Sequence, residues 1–185
     1  MSHTIQSILC LGLLIPVCCW GDSTTTVTVS GQTSGAFGLP SDATIPFVLA
    51  IVAPGPGAIT VTATGCVTDV GVSCATADGF SFNGGTTPLQ EAGVAGNPDL
   101  HVDGLIGALV PAAVAANPTF KPVDSSKSAC APGPCIDRGQ LFFIGSSKVF
   151  SVSQPSTLYL GIDDFIILDN GGAFTVTVTF TPCHC

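Results

Sequence analysis

The stretch GAFTVTVTF, at positions 172 to 180, decides the fold class because apolar and polar residues alternate along it. Phenylalanine and valine at the even positions share one face of an extended chain, whereas threonine at the odd positions shares the other. TTTVTVSG at positions 24 to 31 and GAITVTATG at positions 57 to 65 repeat this pattern. All these segments are predicted to be strands with one buried face and one solvated face.

Further strand-like segments recur along the chain, separated by glycine, proline and aspartate. Eight or nine such strands predict an all-β fold, an antiparallel sandwich of two sheets. The one helical candidate, residues 105–118, is interrupted by Pro111. Residues 76–103 and 115–138 are expected to form long loops, where binding sites usually lie. The other strand candidates are IPFVLAIV, a continuous apolar run suited to burial on both faces or to docking, and GLIGALV, GQLFFIG, KVFSVS and STLYLGI.

Composition limits the classes of function that the chain can have. The 185 residues suffice for one domain with a real core, and 46% of them are hydrophobic. No apolar run reaches the roughly 18 to 20 residues that span a bilayer. The net charge is −8 and only 4 residues are Lys or Arg, so we expect no nucleic-acid partner. The same charge is compatible with cation binding.

The N-terminal region is predicted to be an export signal over residues 1–21, followed by a single sandwich domain over residues 22–185. ILCLGLLIPVCCWG has the length of the apolar core of a signal peptide, although no Lys or Arg precedes it. Acylation at Cys18 or Cys19 and a buried first element of the fold are the alternatives. The signal predicts a secreted or cell-surface protein.

Six cysteines lie outside the predicted signal, an even number that suggests disulfides in an exported chain. Local pairs are favoured, because Cys66 and Cys74 would close a short loop and CAPGPC contains turn-forming residues. The terminal Cys-His-Cys is awkward for a bridge, and a zinc site is its rival interpretation. The predicted disulfide cysteines are Cys66, Cys74, Cys130, Cys135, Cys183 and Cys185.

An acidic loop interrupts this nearly uncharged chain. Asp163, Asp164 and Asp169 fall within seven residues, and Asn170 follows directly. Calcium takes six to eight oxygen ligands, typically carboxylates, amides and main-chain carbonyls, so the loop is a candidate calcium site. The alternative is an ordinary turn in which Asp and Asn side chains cap their own backbone. That alternative explains Asp163 and Asp164 less well, because both lie among apolar residues.

The end of the chain, LYLGIDDFIILDNGGAFTVTVTF, resembles the C-terminal signature of the LecA-type (PA-IL-like) bacterial lectins. GLIGALV and AITVTATGCVTD resemble earlier strands of that family. The resemblance implies a jelly-roll sandwich of galactose-binding type with a calcium ion. It implies side-chain ligands at Asp164, Asp169 and Asn170, with main-chain carbonyls from about Asp69 and Ile167.

The sugar-binding part of the family pattern is not retained. The His-Pro-Asp-Gln stretch of those lectins is matched here at best by residues 97–100, Asn-Pro-Asp-Leu. We nevertheless expect His101, Asp99 and Asp103 near a sugar site, although none of these is implied by the family motif.

Two functions follow from these observations. The first is an exported, calcium-dependent carbohydrate-binding module, with glycans as partners. The second is a structural extracellular subunit of a fibre, sheath or surface layer, with copies of itself as partners. An uncharged, apolar segment such as TIPFVLAIV favours this second function. No motif supports a hydrolase, so we expect no enzymatic activity.

Overall fold

The protein forms two antiparallel sheets in a computed structural model that describes residues 21–32, 48–69, 72–80, 102–111, 141–164 and 169–183. Strand residues alternate between the two faces of each sheet, as the threonine-rich segments predict. In this part of the chain the strands are β1 (Ser23–Ser30), β2 (Val48–Ala53), β3 (Gly57–Asp69), β4 (Val72–Ala75), β5 (Leu105–Pro111), β6 (Leu141–Phe143), β7 (Ser147–Val152), β8 (Ser156–Ile162) and β9 (Gly171–Pro182).

The two sheets are built mostly from strands that are distant in sequence. One sheet has the order β1-β9-β3-β4, and β7 also pairs with the first half of β3. The other sheet has the order β2-β8-β5-β6. Every pairing is antiparallel, which confirms the predicted all-β, two-sheet antiparallel sandwich.

The core lies between the sheets and is lined by the apolar faces of the alternating strands. Phe174 and Phe180 of β9 are its largest fully buried side chains, and the whole of β8 is buried. Burial of this apolar surface is the main favourable term in folding. The other large, fully buried side chains are Ile59, Leu105, Ile106, Leu158, Leu160, Ile162 and Val29.

Strand β2 decides between the two alternatives for its apolar segment. Leu49 and Val52 are 51% and 53% exposed, so the strand is not buried on both faces and presents apolar side chains at the surface. The physical reason is its position at the edge of the sheet formed by the described strands, where it pairs with β8 and a bulge interrupts the register between Leu49 and Ile51. Pro111, which interrupts the helical candidate, is the last residue of strand β5.

Strand ends bring the acidic residues together. Asp69 ends β3, Asn170 immediately precedes β9, and Asp163 and Asp164 immediately follow β8. Asp103 lies two residues before β5, which is paired with β8. Acidic residues that are distant in sequence thus lie at one end of the sandwich. None of the described residues belongs to a helix with the length and hydropathy of a membrane span.

Candidate functional site

Asn170 occupies the centre of the acidic cluster. Its side-chain nitrogen donates a hydrogen bond to Oδ2 of Asp164 at 2.8 Å and a longer one to Oδ1 of Asp103 at 3.4 Å. Asn170 is buried, and Asp164 is half-buried. One amide group therefore separates two carboxylates that would otherwise repel each other across a poorly solvated space.

Asp103 is held in place by its backbone. Its φ of 61° is left-handed, a conformation in which Asp and Asn are enriched among residues other than glycine. Its amide donates to the carbonyl of Asp163 at 3.2 Å, and the amide of Asp163 donates to the carbonyl of Gly104 at 2.9 Å. These bonds continue the β5–β8 pairing beyond Leu105 and Ile162, and they hold the main chain of Asp103 beside the end of β8.

Burial and neighbouring charge raise the pKa of the Asp103 carboxyl to about 7. Loss of water around the fully buried carboxylate is the largest cause, followed by repulsion from Asp164 and then from Asp69. The hydrogen bond from Asn170 lowers the pKa and opposes these effects, and Asp169 adds a smaller repulsion. The site therefore concentrates more negative charge than its hydrogen bonds neutralise.

The oxygen atoms of this cluster suit a hard cation. Oδ2 of Asp103 and Oδ1 of Asn170 are buried and accept no hydrogen bond. A buried acceptor without a donor is costly, and a cation ligated by oxygen would remove that cost. The described part of the chain has no cluster of three or more His, Cys, Asp and Glu arranged to hold a metal. The side chains in contact are two carboxylates and an amide, which are ligand types that calcium takes, and main-chain or ligand oxygens would be needed in addition.

The structure brings some of the predicted metal ligands together and separates others. Asp164 and Asn170 are in direct contact, whereas Asp169 is exposed and acts on the cluster through its charge. Asp163 is fully buried, and its main chain joins β8 to the Asp103 turn. Asp69 is half-buried and close enough to raise the pKa of Asp103. Ile167 lies outside the described residues.

The residues predicted for sugar contact have a different outcome. Asp103 is completely buried, so its carboxylate belongs to the acidic cluster beneath the surface. His101 and Asp99 lie outside the described residues. Asp103 was expected beside the acidic residues as a sugar contact, not as a member of their cluster. It lies about sixty positions before Asp163, and the two meet through the β5–β8 pairing, which no local sequence pattern specifies.

The disulfide between Cys66 and Cys74 is confirmed, and it joins β3 to β4 with a Cα–Cα distance of 5.3 Å. Cys183 corrects the predicted set, because its thiol is free and exposed. It follows the end of β9, where its main-chain amide donates to the carbonyl of Pro56. Cys130, Cys135 and Cys185 lie outside the described residues.

Comparisons of the chain with protein-family models, with curated proteins and with solved structures gave no match. The acidic cluster is therefore the structural feature from which we infer a function.

Proposed function

We propose that this chain is an exported, calcium-dependent carbohydrate-binding module. The observation that carries the proposal is the buried contact of Asn170 with Asp103 and Asp164, in which two oxygen atoms accept no hydrogen bond. Like charges gathered at one end of a rigid sandwich favour a divalent cation in that place. The resemblance of the chain's end to calcium-dependent lectins supports the same assignment.

Asn170 is the residue that would respond to the ion. The Nδ2 and Oδ1 atoms of an asparagine occupy nearly equivalent positions, so rotation of the amide by half a turn exchanges donor and acceptor. Without a cation, the amide N–H groups face Asp103 and Asp164 and relieve their repulsion. With a cation, the rotated amide offers Oδ1 beside the same carboxylates. A bound calcium ion would supply positive charge and open positions for sugar hydroxyl groups.

Calcium binding is tested first, by titration calorimetry and thermal denaturation of the full chain with calcium and with chelator. Calcium at a hundred times its dissociation constant stabilises a native protein by about 2.7 kcal/mol. We expect Asp164→Asn to abolish most of this stabilisation. Asp22→Asn is the matched control, because Asp22 is exposed and precedes β1, away from the cluster. An unchanged melting temperature with and without chelator in the wild-type protein contradicts the proposal.

Sugar binding is tested separately, by retention on immobilised galactosides and on a glycan array. We expect retention that chelator reverses and that Asp164→Asn weakens at least tenfold. Binding of calcium without retention of any glycan would leave the cation site in place and refute the carbohydrate-binding function.

A second function, that of a structural subunit, is supported by a different observation. The edge strand β2 carries no charge and exposes Leu49 and Val52. Uncharged, apolar edges promote pairing with other chains. Sedimentation velocity over a range of concentrations tests this function. Particles that grow with concentration and disappear in Leu49→Lys, but persist in Val149→Lys on the other sheet, would favour it over sugar binding.

A further inference from the structure

Threonines form a regular array on the outer face of the β1-β9-β3 sheet. The strand registers align them in rows of three, because Thr179 faces Thr24 on one side and Thr60 on the other. In the second row Thr177 lies between Thr26 and Thr62, and in the third row Thr175 lies between Thr28 and Thr64. The nine threonines are Thr24, Thr26 and Thr28 of β1, Thr175, Thr177 and Thr179 of β9, and Thr60, Thr62 and Thr64 of β3.

The array is ordered, exposed and free of charge. Seven of its threonines are exposed, and Thr177 and Thr179 of the central strand are half-buried. Hydroxyl oxygens contact each other across strands, at 2.9 Å between Thr24 and Thr179 and at 3.3 Å between Thr26 and Thr177. The rows of Thr60 and Thr62 continue onto β7 at Val149 and Ser147, so no charged residue interrupts these two rows.

Such a face presents methyl and hydroxyl groups at fixed positions. Threonine is branched at Cβ and therefore stiff at χ1, so little side-chain entropy is lost when a ligand orders it. Adjacent strands are about 4.8 Å apart, and successive threonines along a strand are about 6.8 Å apart. The ligand that fits this pattern is itself uncharged and periodic in two dimensions.

We propose that this threonine face binds the surface of ice. Water oxygens joined by hydrogen bonds of about 2.75 Å in a tetrahedral lattice have second neighbours about 4.5 Å apart, close to the spacing of the strands. Methyl groups between the hydroxyls order water without binding it strongly, and the absence of charge avoids a competing hydration shell. Sheet twist of about 20° per strand confines the match to the few strands around β9.

A second copy of the chain fits the face less well. Nine threonines on three strands cover roughly 300 Å², taking the strand spacings above. Stable protein interfaces bury about 800 Å² on each partner. The array also lacks the large aromatic or aliphatic side chains that anchor such interfaces.

The test is ice recrystallisation inhibition and thermal hysteresis of the full chain, each measured with calcium and with chelator. We expect micromolar inhibition of recrystallisation that does not depend on calcium, so that its outcome is separate from that of the acidic site. Thr62→Lys and Thr177→Lys place a charge in the array and should raise the inhibitory concentration at least tenfold. Thr25→Lys is the matched control, because Thr25 is exposed on the same sheet but lies outside the array.

Conservative variants guard against loss of folding. Thr62→Ser keeps the hydroxyl group and Thr62→Val keeps the branched shape, and each should lower the activity while leaving the denaturation midpoint nearly unchanged. Absence of ice activity in the wild-type protein overturns the proposal, as does equal activity in Thr62→Lys and Thr25→Lys. A dimer that sediments as such and dissociates on Thr177→Lys would also overturn it, because a second copy would then occupy the face.

Discussion

Asp103 combines the backbone and electrostatic features of the site in one residue. Its left-handed backbone is held by hydrogen bonds to the end of β8, and its carboxyl accepts a hydrogen bond from Asn170 in a buried position. Burial is the largest cause of the rise of its pKa from 3.8 to about 7. Near pH 7 the Asp103 carboxyl is therefore partly protonated and partly ionised.

A pH dependence of stability follows from this raised pKa. Between about pH 4 and about pH 7, Asp103 is protonated in the folded chain and ionised in the unfolded chain. The folded state then binds more protons, so this group's contribution to the free energy of unfolding falls as the pH rises, and it levels off above pH 7. The total change is about 4 kcal/mol at most. Urea denaturation in chelator, from pH 4.5 to pH 8, measures it.

Asp103→Asn provides the comparison for that titration. Asparagine tolerates the left-handed backbone and does not titrate, so the variant should lose this part of the pH dependence. The difference between the two curves isolates Asp103 from the other carboxylates. Parallel curves for the wild-type protein and the variant would contradict the assignment.

Gly172 is required by the start of β9. Its φ is +71°, and a Cβ atom there would overlap the carbonyl oxygen of Cys66 on the paired strand. We expect Gly172→Ala to lower the free energy of unfolding by about 2 kcal/mol or more, from backbone strain and overlap together. Gly55→Ala is the control, since nothing lies within 4 Å of its added Cβ, and it should change stability by less than about 0.5 kcal/mol. Urea denaturation of both variants measures the two changes in the free energy of unfolding, and equal changes would contradict the requirement for glycine at position 172.

At the scale of elements, β3 and β9 are the central pair of strands in the larger sheet. Their register runs without a shift from Gly57 opposite Pro182 to Thr68 opposite Gly171. This long pairing places Asp69 and Asn170 at the same end of the sheet. The disulfide joins β3 to β4 near that end of the sheet. It therefore also constrains the position of Asp69, which pairs with Val72 of β4.

Removal of the Cys66–Cys74 disulfide should destabilise the fold moderately. For so short a loop, the entropy of the unfolded chain gives the disulfide a contribution of about 2.5 kcal/mol. We expect the double variant Cys66→Ala and Cys74→Ala to unfold at correspondingly lower urea concentration. Cys183→Ser should have little effect, because its thiol is free and exposed. A double variant as stable as the wild-type protein would show that the disulfide constrains little.

At the scale of the whole molecule, stability comes from the core shared by the two sheets. Phe174 is fully buried there, and truncation leaves a cavity that the rigid sheets cannot fill. We expect Phe174→Ala to cost about 3 to 5 kcal/mol. Val149→Ala, at a side chain that is 65% exposed, should cost less than about 0.5 kcal/mol. Similar midpoints for the two variants in urea would mean that the sheets are not packed as described.

Local alternation of residues determined the strands and the fold class. The period-two patterns of β1, β3 and β9 are properties of the chain itself, because side chains of an extended strand must point to alternate faces. The same patterns predicted which face of β9 is buried, and the short spacing of Cys66 and Cys74 predicted their disulfide. The acidic loop was likewise visible, since Asp164 and Asn170 are only six positions apart.

Only the tertiary structure decided what lies across from these segments. Asp103 enters the acidic cluster because β5 pairs with β8, and the threonines form rows because β1 and β3 take matching registers on β9. The edge position of β2, and with it the exposure of Leu49, is also a result of sheet order. Pairing between distant strands depends on the packing of the entire core, whereas the sequence of one segment specifies only its own alternation.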